Sequence, residues 1–382
     1  MQDPYPFYAR ARAAGDLFWW DDYAMPCAAG HATVAALLRD RRLGREPPDG
    51  KPPRPAHLAN FYAVDDLSLL DREPPAHTRL RGLVLRAFTS RRVGGMAPEI
   101  SALAHRLIDA IEAPEFDLLP AFAERLPVVV IARLLGVPEA MGSELLAWSH
   151  AMLAIYQARR DRAVEERADA AAREFAAYLR ELVAERRGRP ADDLISHLVA
   201  AESDDGRLTT DETIATCILL LNAGHEATVN TIGNAVLALL TATDDPARHA
   251  TAPAIAATVE EALRFDPPLH LFTRIAREDV ELFGHRFAAG DTVGCLLGAA
   301  GRDPARFADP ESFDPRRPNA SEHLAFGAGR HFCLGAPLAR LELAVALPVL
   351  FERLPRLRIE RPPVFVDRYH FRGLEALWLR TD

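Results

Sequence analysis

Cys333 lies in the run Phe326-Gly327-Ala328-Gly329-Arg330-His331-Phe332-Cys333-Leu334-Gly335, just ahead of a helix-like stretch over residues 336–347. The chemistry this frame offers is a thiolate presented to a metal. Glycines at 327, 329 and 335 remove Cβ atoms where the backbone must turn tightly and approach a large flat ligand. A cysteine ahead of a helix N-terminus has its thiolate favoured by the helix dipole and by free backbone N–H groups. A purely structural cysteine in a turn does not need the flanking glycines, aromatic and histidine.

A second constellation sits in an extended helical pattern, residues 209–242. Thr209 and Glu212 form a capping box, and residues 214–221 carry no charge, as suits a helix through a protein centre. Asn222, His225, Glu226, Thr228 and Asn230 then break the apolar run. A buried carboxylate is costly unless it has a partner or a task. Two further pairs have helical spacing. Glu261 and Arg264, at i and i+3, can join in a charge-assisted bond, and His77 and Arg81 stand four residues apart.

The cysteine segment resembles the haem-binding loop of the cytochromes P450, FGxGxHxCxG. That resemblance implies haem b with the Cys333 thiolate as axial iron ligand, His331 on a haem propionate, and Phe326, Gly327 and Gly335 around the sulfur. Such a ligand donates electron density to iron and favours O–O cleavage. The stretch Ala223-Gly224-His225-Glu226-Ala227-Thr228 is similar to the family's oxygen-binding segment A-G-x-(D/E)-T-T. Ala223 and Gly224 then give room over the haem, and Glu226 delivers protons. The first threonine of the pattern is replaced by Ala227. Thr228, about 100° further round the helix, cannot simply take its place. The repairs open to the site are a substrate hydroxyl, an extra water held by Glu226 and Thr228, or a reaction that does not need full dioxygen scission. A water-mediated or substrate-assisted route is expected.

Glu260-Glu261-Ala262-Leu263-Arg264 resembles the family's ExxR helix, with Glu261, Arg264 and a downstream arginine, best matched by Arg317 although Arg316 also fits, in a structural role. His77-Thr78-Arg79-Leu80-Arg81 resembles its HxxxR helix, which with Arg274 supplies further propionate contacts; arginine forks and protonatable histidines are the expected partners of carboxylates. The resemblance spans residues 4–379. It implies a substrate pocket including Phe61, Leu69, Met152, Leu220, Leu269, Leu271 and Phe272, with walls from residues 57–70, 152–162 and 269–273, and hence a hydrophobic small-molecule substrate.

These residues must be positioned by a mainly helical chain. Apolar spacing predicts helices over 31–40, 99–111, 122–135, 165–187 and 210–240. Alternation predicts strands or hairpins within 18–27, 280–297 and 364–379, with turns at Gly284 and Gly290. The expected fold class is mainly α with a minor β portion, and the family resemblance implies a single cytochrome P450 domain over residues 1–382, a triangular helical prism around a buried haem. The proline-rich residues 47–55 read as a surface loop.

Composition bounds the setting. The 382 residues are 49% hydrophobic, enough for a large core, and the formal charge of −9 argues against a nucleic-acid partner. The four cysteines are widely spaced, which indicates neither a disulfide framework nor a zinc site and fits a reducing cytoplasm. No signal peptide or membrane anchor is expected, nor an appended flavin or ferredoxin segment. The family resemblance implies that electrons come from a separate ferredoxin or flavodoxin-type donor with its reductase, docking through basic residues for which Arg86, Arg91, Arg92, Arg330 and Arg340 are candidates. A monomer is expected. The reading is a haem-thiolate monooxygenase inserting one oxygen atom from dioxygen; the alternatives are a peroxide-driven oxygenase, and behind it a haem-thiolate ligand-binding protein without turnover.

Overall fold

The computed structural model describes residues 2–156, 160–203, 208–367 and 370–381. Residues 157–159 of the expected pocket wall and 368–369 of the expected closing hairpin lie outside the described residues. The chain divides into two compact units: residues 1–50, 94–126 and 227–382 form one, and residues 51–93 and 127–226 the other.

The first unit holds every strand found among the described residues. Phe18–Trp20 and Met25–Ala28 pair antiparallel, and Met25–Ala28 runs parallel to Thr292–Leu296. Thr292–Leu296 then pairs antiparallel with Leu271–Ala276, which reaches the short edge strand Leu43–Gly44. The predicted turn at Gly284 is a two-residue connection between Val280–Leu282 and His285–Phe287, with both Phe283 and Gly284 at positive φ (52° and 71°). That backbone geometry suits the twist of a tight hairpin. The closing segment contributes Val364–Phe365, Leu374–Ala376 and Trp378–Arg380.

Two buried clusters support the sheet. Strand alternation sends Leu271 into one, with Tyr8, Trp20 and Leu296, while Leu269 and Phe272 pack against the other, with Leu37, Leu43 and Phe287. Helix Ala336–Arg353 follows the cysteine segment and packs on Ala97–Asp109. The chain start is tied to the end of helix Ile255–Phe265: Tyr5 donates to Asp266 at 2.6 Å, and Arg372 bonds the same carboxylate at 3.3 Å.

Among the described residues the regular elements of the second unit are all helical, with Gly142–Leu153 and Ala59–Asp65 packed on the long helix Arg162–Gly188. The 33-residue helix Thr210–Ala242 runs from this unit into the first, the division falling after Glu226. Its capping box forms as predicted: Glu212 N–H donates to Thr209 Oγ1 at 3.1 Å, and Thr209 N–H to Glu212 Oε2 at 3.0 Å.

The predicted helix over 122–135 is instead two pieces, a π-turn Leu119–Ala123 and a helix Arg125–Leu135. Pro127 lies in the first turn of the second piece, where its missing N–H has no intrahelical partner to lose. Among the described residues no helix is long and apolar enough to cross a membrane.

Candidate functional site

The cysteine loop is shaped by two left-handed glycines, Gly327 at φ +69° and Gly329 at φ +72°. A Cβ on Gly329 would stand 2.6 Å from the Leu38 carbonyl oxygen, and one on Gly327 would stand 3.1 Å from the Phe272 ring. Gly329 is therefore required both by its left-handed backbone, as the expected tight turn demands, and by the close approach of the Leu38 backbone. Cys333 N–H donates to the Phe326 carbonyl at 2.9 Å and closes the loop. A Cβ at Gly335 would lie 3.9 Å from Cys333 Sγ, and helix Ala336–Arg353 has no side-chain cap. The sulfur thus lies close to the start of a helix that has no side-chain cap.

Cys333 differs from the other cysteines. Cys27, Cys217 and Cys295 are buried, and burial pushes their thiols up to about 12, whereas Cys333 is exposed. Three cysteines are thus inert core residues and the fourth is accessible in a loop, a donor set that fits a thiolate-ligated haem.

The loop is held from below by a network that motif spacing did not single out. Arg340 grips Glu260 through two bonds of 2.5 and 2.9 Å, and His323 Nε2 lies 3.3 Å from the same carboxylate. Burial pushes Glu260 upward, but the bonds from Arg340 and His323 outweigh it and hold the carboxyl at about 2. The Arg340 guanidinium sits 4.6 Å above the Phe326 ring. Phe326, itself buried, is thereby clamped at the start of the cysteine segment. Arg340 is thus engaged within its own unit, as Arg92 is with Asp192.

Glu261, Arg264 and Arg317 form a buried ionic core. Arg264 donates to both Glu261 oxygens, at 2.7 and 2.8 Å, and to the carbonyls of Gly301, Pro310 and Ser312 at 2.7, 2.9 and 3.0 Å. Arg317 Nε reaches Glu261 at 3.2 Å, and its remaining donors meet the carbonyls of Ala308, Asp309 and Ser312. Arg316 bonds only Asp314 at the surface, so the downstream arginine is Arg317.

The expected propionate donors divide between the units. His331 is half-buried in the cysteine loop, and Arg274 is buried on strand Leu271–Ala276, where it donates to the Thr273 carbonyl at 2.9 Å. In the second unit, buried His77 and half-buried Arg81 are one turn apart on helix Ala76–Ala87. All four are cationic or protonatable donors, the chemistry that carboxylates require.

In the long helix, His225 donates from Nδ1 to the Leu221 carbonyl at 2.9 Å, and Thr231 donates to that of Ala227 at 2.7 Å. Two side chains thus compete for helix carbonyls on either side of the expected oxygen site, a pattern that loosens a helix locally. Ala223 is exposed, while a Cβ on Gly224 would meet Ile131 at 3.4 Å; the glycine here serves close helix approach. Glu226 is half-buried, with His150 Nε2 at 3.6 Å.

Thr228 is engaged elsewhere. Its hydroxyl bonds Glu342, a fully buried carboxyl on helix Ala336–Arg353 whose second oxygen has no protein partner. Burial raises the Glu342 carboxyl well above its ordinary range, the Thr228 bond opposing it only in part. Glu342 was missed because a single glutamate in an apolar helix is usually a solvated-face residue. The clue available was Glu342 within the otherwise apolar stretch 341–351.

Of the expected pocket residues, Phe61, Leu69, Met152 and Leu220 are buried in the second unit, with the Asn222 amide 3.7 Å from the Met152 sulfur. Leu269, Leu271 and Phe272 fall in the first unit; the consecutive strand residues Leu271 and Phe272 face different buried clusters, and Leu269, just before the strand, packs against the same cluster as Phe272.

The cytochrome P450 family profile matches residues 247–358. Over 99% of its length the chain is 39% identical to the cytochrome P450 monooxygenase PikC of Streptomyces venezuelae, 91% of which is covered. It is 35% identical to the biotin biosynthesis cytochrome P450 of Bacillus subtilis, over 99% of this chain and 96% of that one. The crystal structure of P450BioI in complex with acyl carrier protein ligated to hexadec-9Z-enoic acid superposes with a TM-score of 0.93 at 34% identity, covering 100% of this chain and 99% of that chain. The chain belongs to the cytochrome P450 family and is a monooxygenase, an oxidoreductase that incorporates molecular oxygen. Members of this family carry haem on a cysteine thiolate, and bacterial members generally draw electrons from redox partners.

Proposed function

We propose that the protein is a single-domain, monomeric, cytoplasmic monooxygenase of hydrophobic small molecules, with Cys333 as the iron ligand. The observation that carries this reading is Cys333 itself, the accessible cysteine in a loop built from two left-handed glycines beside an uncapped helix start. Bound haem supplies oxygen activation at a thiolate-ligated iron.

Around it, His77, Arg81, Arg274 and His331 would hold the propionates, and Glu261, Arg264 and Arg317 would keep the cysteine unit rigid. Glu226 is the proton-delivering acid. Ala227 offers no hydroxyl, and Thr228 is committed to Glu342, so water or a substrate hydroxyl completes the route to Glu226. Phe61, Leu69, Met152 and Leu220, with Leu269, Leu271 and Phe272, supply apolar contacts for the substrate. Electrons come from a separate ferredoxin or flavodoxin-type donor.

Substrate-induced spin-state shifts in the ferric enzyme, screened with macrolactones such as 6-deoxyerythronolide B and with free and carrier-bound long-chain fatty acids, identify the ligand class. Turnover of the hit under ¹⁸O₂ with NADH, ferredoxin and reductase should place one labelled atom in the product. Ala227 favours a second reading, oxygenation driven by hydrogen peroxide; peroxide support far exceeding that of the electron-transfer chain, with no label from ¹⁸O₂, would select it.

A further inference from the structure

His150, His225 and Glu226 converge within the second unit, one ligand atom of each lying within 4.8 Å of the others. His225 is 1% exposed, and its Nδ1 donates to the Leu221 carbonyl. Its tautomer is thereby set, with the lone pair on Nε2. That nitrogen is buried and has no hydrogen-bond partner in the protein. It stands 3.9 Å from Glu226 Oε2, and His150 Nε2 stands 3.6 Å from the same oxygen.

We infer that these three side chains form a binding site for a divalent cation of the zinc class. Two imidazoles and a carboxylate are a ligand set that zinc accepts, with a fourth position left to water. Tetrahedral ligands at zinc bond lengths are about 3.3 Å apart, so the trio closes on an ion by movements of a few tenths of an ångström to somewhat over 1 Å. The ring N–H bonded to a backbone carbonyl is the outer support that metal-binding histidines ordinarily have. Burial also disfavours the charged form of His225, leaving the lone pair available. The His150 side chain, on helix Gly142–Leu153, is 53% exposed and gives an ion its entry from solvent.

Occupation would take up Glu226, so an ion here would suppress proton delivery. This consequence rests on the proposed role of Glu226; the binding site does not. The test titrates ZnCl₂ into chelator-treated ferric holoenzyme by calorimetry, with metal analysis after dialysis. One zinc per chain with micromolar affinity is expected, weakened at least 10-fold in His225→Ala and in His150→Ala. The exposed His150 position keeps the test valid should His225→Ala fail to retain haem. No binding, or equal stoichiometry and affinity in the parent and His150→Ala, overturns the site. Zinc should also lower dioxygen-dependent turnover in the parent and not in His150→Ala. Zinc bound as described with turnover unchanged would leave the site standing and remove Glu226 from proton delivery.

Discussion

Replacing Glu261 by alanine should cost more stability than any single surface change. The Glu261 and Arg264 side chains are 0% exposed and that of Arg317 is 7% exposed, so one carboxylate is the shared counter-charge of two desolvated guanidiniums. Removing one partner of a buried pair costs about 3–5 kcal/mol, because the remaining charge stays buried without compensation. Here two charges are stranded, and the Asp314 N–H, now bonded to Glu261 at 2.8 Å, loses its acceptor. The upper half of that range follows. At roughly 2 °C per kcal/mol for a chain of this size, the unfolding midpoint should fall by about 8–10 °C. The assay is a thermal ramp on ferric holoenzyme at fixed rate, followed by haem absorbance and far-ultraviolet dichroism. Arg316→Ala, which breaks only an exposed pair with Asp314, should leave the midpoint within about 1 °C. A fall of less than about 2 °C for Glu261→Ala, or equal falls for both variants, would refute the reasoning.

Glu342→Gln should change how stability depends on pH. The folded carboxyl titrates well above its ordinary 4.5, so its contribution is complete below pH 4.5 and is lost as pH rises towards the folded value. The parent should therefore lose stability relative to the glutamine variant by about 1.4 kcal/mol per pH unit across that window; parallel pH profiles of the melting midpoint would contradict it. Gly329→Ala should sharply lower haem retention, because the new Cβ meets the Leu38 carbonyl in a left-handed backbone; normal haem content on purification would count against it. Ala227→Thr should alter the ratio of product formed to NADH consumed, and unchanged turnover and coupling would show that this position does not govern proton delivery.

What the chain disclosed in advance follows from how locally each feature is determined. Thr209 and Glu212 cap a helix through contacts three residues apart, and both bonds form. The turn of the cysteine segment is likewise announced by its own left-handed glycines, whereas the Leu38 and Phe272 contacts that press on them come from distant segments. Glu260 went unnoticed beside Glu261 although the two adjoin, because neighbouring helix residues face about 100° apart and only Glu261 points into the ionic core. Its partners His323 and Arg340 come from distant segments. The Thr228 bond to Glu342 and the approach of His150 to Glu226 are likewise tertiary, with no periodicity to announce them. Strand alternation places Leu271 and Phe272 in different buried clusters, a separation that a resemblance between segments does not display.

The claim on which the rest depends is that Cys333 is a thiolate ligand to haem iron. The reduced, carbon monoxide-bound absorption spectrum tests it most directly. The parent should give the strongly red-shifted Soret band of a thiolate opposite carbon monoxide, and Cys333→Ser should lose that band, whereas Cys27→Ser, Cys217→Ser and Cys295→Ser keep it. A red-shifted band that survives in Cys333→Ser, or one absent from correctly folded, haem-loaded parent protein, would contradict the assignment.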